Sequence, residues 1–136
     1  MANLHDLSAQ QMAELADRLT RISMALFEYR VSHQLEPDEE RLIREHGELQ
    51  LDALANLLRG HVIENVVDEA IWQASDLVDA LEDARRTITN IQSVKDAIHA
   101  ITNVVSLAGA LLSRDPQAIV KTLKPFAANT EDMHNI

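Results

Sequence analysis

Between Thr87 and Asp96 the chain reads TITNIQSVKD, and two different folds hang on whether a helix passes through it. Upstream, Val67, Ala70, Ala74, Leu77, Leu81, Ala84 and Ile88 recur at steps of three and four; downstream, Ile91, Val94, Ile98, Ile101, Val105, Ala108 and Leu112 do the same. Each set is the apolar seam of an amphipathic helix. Two three-residue steps in succession join the sets, which is also how a stammer inside one continuous coiled-coil helix reads. Against continuity, Arg85 and Arg86 suit a last helical turn, and Ser93 followed by Asp96 resembles a capping box that opens a new helix. The expectation is therefore a break within 87–92 and an all-α fold: an antiparallel four-helix bundle with a short fifth helix. A fused helix would instead make three long helices and an elongated coiled-coil dimer.

Outward from that point the other helices follow. Met12, Leu15, Leu19, Ile22, Leu26 and Tyr29 form a first seam, with Ser8 as N-cap. Glu36-Pro37-Asp38-Glu39-Glu40 reads as a helix start, because the first turn has no use for the N–H that proline lacks and acids complement the positive dipole end. That helix is predicted over 37–59, stopped by Gly60. Asp115-Pro116 opens a short helix carrying Ile119, Val120 and Leu123, ended by Pro125. Residues 1–125 thus read as one domain, with a frayed tail over 126–136.

The chain has 136 residues, 46% of them apolar and 25% charged, with few aromatics and only three glycines and three prolines, a texture of helices rather than strands. There is no cysteine, hence no disulfide, thiolate nucleophile or cysteine-ligated zinc. The N-terminal MANLHDLSAQQ lacks a basic stretch followed by an apolar one, so a cytoplasmic location is expected. The net charge of −10 is uneven: residues 36–84 hold fourteen acids against three bases, a net −11. That sign opposes direct contact with a phosphate backbone, so no direct nucleic-acid binding is expected.

The charge has a pattern. Read as one long helix, the third segment carries Glu64, Asp68, Trp72, Asp76, Asp79 and Asp83 along one side, an acidic stripe around the only tryptophan. This is the candidate partner-binding face, with the acids steering a basic protein surface and Trp72 as anchor. By contrast, the seventeen residues 97–113 carry no formal charge. His99, Thr102, Asn103, Ser106, Gly109 and Ser113 fall on one side of that helix, opposite Ile98, Ile101, Val105, Ala108 and Leu112. Such a neutral, small-residue stripe suits close approach of another backbone, either within the monomer or across a twofold contact between copies, and makes a homo-oligomer the expectation. The run is shorter than the roughly 20 apolar residues of a spanning helix. A membrane-associated role for 94–113 and 116–124, with Lys95, Arg114, Lys121 and Lys124 meeting anionic lipid, is the alternative.

Catalytic and cofactor motifs are missing from the linear sequence. Bundle di-metal sites want paired Glu-x-x-His motifs, and only Asp96-x-x-His99 and the reversed His61-x-x-Glu64 come near, so a metal enzyme is a remote alternative and no cofactor is expected. A phosphotransfer histidine would want a basic residue three positions on; His33, His46, His61 and His99 are followed there by Glu36, Leu49, Glu64 and Thr102. The sequence reads as a non-enzymatic acidic helical interaction protein, an adaptor or inhibitor that binds a basic surface of a protein partner.

Overall fold

The computed structural model describes residues 4–59, 63–68, 74–91, 93–113, 115 and 117–124. They are mostly helical: β1 (Leu4–Leu7), α1 (Ala9–Ser32), α2 (Pro37–Leu42), a π-helical stretch (Ile43–Glu48), α3 (Leu49–Leu58), β2 (Ile63–Asp68), α4 (Ala74–Thr89) and α5 (Val94–Ser113), followed by a helical stretch over 117–124.

α1 begins where its cap predicts. Ser8 Oγ accepts from the Gln11 N–H at 3.2 Å and the Ser8 N–H donates to Gln11 Oε1 at 2.9 Å, so two otherwise unpaired donors of the first turn are satisfied reciprocally. Its predicted seam is its buried face: Met12, Leu15, Leu19, Ile22, Leu26 and Tyr29 are all in the core. α1 packs against both α3 and α4, and α5 contacts α3, α4 and the π-helical stretch.

The predicted 37–59 helix is one helical run interrupted in register. From Ile43 to Glu48 the backbone widens to π geometry, and the Leu49 N–H donates to the Arg44 carbonyl five residues back. The reason lies inward. Ile43, Gly47 and Glu48 are all buried, and a Cβ at Gly47 would come within 2.9 Å of both Leu26 Cδ1 and Ile101 Cδ1, so α1 and α5 close on bare backbone there.

The break near Ser93 is present. α4 ends at Thr89, Asn90 makes a turn, and the Asp96 N–H donates to Ser93 Oγ at 3.2 Å to open α5. The fused, elongated coiled coil is thereby excluded. The short helix after Pro116 is also present, over 117–124, whereas the tail expected to fray lies outside the described residues.

One expectation is overturned. Val67, Glu64 and Asp68 are not on a helix: Ile63–Asp68 is a strand, antiparallel to β1, with Leu4 opposite Asp68, His5 opposite Val67, Leu7 opposite Ile63 and an irregular register between His5 and Leu7. The β-branched run Ile63, Val66, Val67 favours extended backbone, and Leu4–Leu7 supplies the ladder partner that tips the balance.

Candidate interaction surfaces

The acidic stripe read from the sequence is divided by the fold. Asp76 and Asp79 stand exposed on α4, and Asp83 is half-buried, accepting from Arg86 Nη1 at 3.3 Å. Glu64 and Asp68 belong to β2 instead, so no single helical face carries all six residues, a correction that follows from the strand. Trp72 lies outside the described residues.

The neutral stripe holds together. His99, Thr102, Ser106, Gly109 and Ser113 are exposed and Asn103 is half-buried, while Ala97, Ala100, Ile101, Val104, Leu107, Ala108 and Leu111 form the buried face of α5. Among the described residues, no element packs over this stripe. The predicted inner face was slightly misplaced: Ile98, Val105 and Leu112 are at the edge of the core, because helix contacts centre on the 97–104–111 line rather than on 98–105–112. Two hydroxyls of the stripe bond within their own helix, Thr102 Oγ1 to the Ile98 carbonyl at 2.9 Å and Ser113 Oγ to the Ala110 carbonyl at 2.7 Å.

Two ionic clusters tie α1 to its neighbours. At one, Arg30 grips the buried Glu48 with both forks, Nε to Oε2 at 2.7 Å and Nη2 to Oε1 at 3.1 Å, and reaches Glu40 at 3.3 Å. Ser23 Oγ donates to the Glu48 carbonyl at 3.2 Å. The bond to Glu48 raises the Arg30 pKa above its ordinary value, so the guanidinium stays charged. Beside it, Tyr29 is held above the usual phenol range, first by burial and then by the negative charges of Glu39 and Asp96. At the other cluster, Glu82 of α4 lies 3.2 Å from Arg18, 3.8 Å from Arg21 and 3.3 Å from Arg85. Arg18 Nε and Glu82 Oε1 are buried yet not aligned for a hydrogen bond, so that pair is held by charge alone.

A surface that the sequence reading passed over lies on the outer side of α1. Met24, Phe27 and Val31 are 59%, 48% and 60% exposed, on the side opposite the buried seam. Their three- and four-residue steps were legible but were masked by the stronger inward seam on the same helix. Arg30 lies over the Phe27 ring, its guanidinium carbon 5.2 Å from the centroid.

Among the described residues, no three His, Asp or Glu side chains converge as a metal-holding group, and Asp96 and His99 are both exposed. Comparison with protein-family models, with curated proteins and with solved structures found no match.

Proposed function

We propose that the chain is a non-enzymatic acidic interaction protein, an adaptor or inhibitor that docks on a basic surface of a protein partner. One observation carries the reading: the negative charge of the middle segment stands in water. Glu36, Asp38, Glu45, Asp52 and Asp79 are exposed, whereas Arg18, Arg30 and Arg59 are drawn into ion pairs that tie α1 to its neighbours. Outward acids beside internally paired bases leave a field that attracts and orients a cationic partner. The scaffold in this reading is the antiparallel four-helix bundle, supported by α1 lying against both α3 and α4 with α5 against α3. Immobilised chain and its Asp76→Lys/Asp79→Lys variant test the proposal side by side. Proteins captured by the parent, released by salt and lost from the variant are the expected result; capture unchanged by the double reversal removes it.

A second reading rests on α5, which by length and composition is long and apolar enough to cross a membrane. On it, α5 and the 117–124 stretch associate with anionic lipid. Flotation with anionic vesicles separates the two, since an adaptor for a basic protein surface stays in the soluble fraction.

A further inference from the structure

We propose that two copies of this chain associate through the outer edge of α1, in an antiparallel twofold contact whose axis passes level with Ala25 and Leu26. Thr20, Met24, Phe27 and Val31 recur at steps of four, three and four, the spacing of a coiled-coil seam; Met24, Phe27 and Val31 are exposed, and half-buried Thr20 accepts from Arg59 Nη2 at 2.9 Å at the end of the row. A single exposed apolar residue is ordinary, but a row of three large ones is a surface that water disfavours. The row is also pre-shaped. Arg30, fixed by its two bonds to Glu48, holds one face of the Phe27 ring, so the aromatic gives up little freedom when its other face is covered.

Charge identifies a second copy as the occupant. Arg21 and Glu28 are both exposed and lie one heptad apart along the edge of the row away from α3, with Arg21 Nη1 3.8 Å from Glu82 of α4; the other edge is bounded by the π-helical stretch and α3. In an antiparallel pair that sets Met24 against the partner's Phe27 and Thr20 against the partner's Val31, Arg21 faces the partner's Glu28, and symmetry repeats that pair on the other side of the axis. A parallel pair would instead turn Arg21 and Glu28 toward the partner's Ala16 and Ser23, which carry no charge to pair with them. The neutral face of α5 is the weaker seat for self-association. It offers no large side chain to bury, and its Thr102 and Ser113 hydroxyls already bond within their own helix.

Sedimentation of the full chain over a range of concentrations tests the contact. The parent dimerises, and Met24→Lys, at a position outside the core, weakens dimerisation at least about tenfold by burying an unpaired charge. Arg21→Glu alone and Glu28→Arg alone each weaken it, the double swap restores it, and Ser106→Lys/Gly109→Lys on α5 leaves it unchanged. Thermal melts of every variant verify folding, which matters for Arg21 because it also lies near Glu82. A parent chain that is monomeric throughout, a Met24→Lys variant as dimeric as the parent, a charge swap that fails to restore a lost dimer, or dissociation by the α5 lysines each overturns the proposal.

Discussion

Arg30 and Glu48 show how much depends on a pair of side chains. Each is largely withdrawn from water, so removing one leaves the other's charge without its partner. Glu48→Ala is expected to lower stability by about 3 kcal/mol, the low end for a broken buried pair because Glu40 still neutralises part of the guanidinium. Arg30→Met/Glu48→Leu, which removes both charges and keeps the bulk, should recover most of that loss. Chemical denaturation of the three proteins checks both statements. Gly47→Ala belongs to the same region: its methyl would meet Leu26 and Ile101 inside contact distance, for an expected loss of about 1–3 kcal/mol by overpacking. Tyr29 supplies a pH signature. Its pKa is raised in the fold, so the fold favours the protonated phenol; stability is level below the ordinary phenol pKa of roughly 10 and falls as pH rises above it, because the unfolded chain ionises first. Melts above that pH should show the decline, and Tyr29→Phe should flatten it.

At the scale of elements, the signals that the sequence displayed openly were local ones. Ser8, Pro37 and Ser93 each mark a helix start through groups within a few residues, and the helices begin there; the segment after the Asp115-Pro116 signal is helical over 117–124. Ser93→Ala should therefore cost about 1 kcal/mol by removing the acceptor for the Asp96 N–H, measurable as a lower melting temperature with α5 otherwise intact. What stayed hidden was non-local. Ile63–Asp68 fits a helical period well enough to be read as one, and only its ladder with Leu4–Leu7, some sixty residues away in sequence, makes it a strand. The π-helical stretch was equally invisible, since the widened turn follows from Gly47 meeting two other helices and Glu48 meeting Arg30. Of the candidate surfaces, the neutral stripe on α5 was legible whole because it lies on one uninterrupted helix; the acidic stripe was legible only over Asp76, Asp79 and Asp83, the part that really is helical.

For the molecule as a whole, the charge that serves recognition is separable from the contacts that serve folding. Asp79 is exposed, so Asp79→Lys is expected to change stability by no more than about 0.5 kcal/mol while altering partner capture. Comparing the melting temperature of this variant with its capture checks that separation; a large drop in melting temperature would mean that Asp79 also supports the fold. The position of α1 also gives the fold a direction in time. α1 is made before the elements that pack on it: its buried seam is complete by Tyr29, while the π-helical stretch, α3 and α4 end at Glu48, Leu58 and Thr89. As the chain leaves the ribosome from its N-terminus, that seam waits, uncovered and adhesive, first for one flank and then for the other. The interval between Tyr29 and Thr89 is the window in which a nascent chain of this design is most exposed to chaperones and to its own neighbours on the same message.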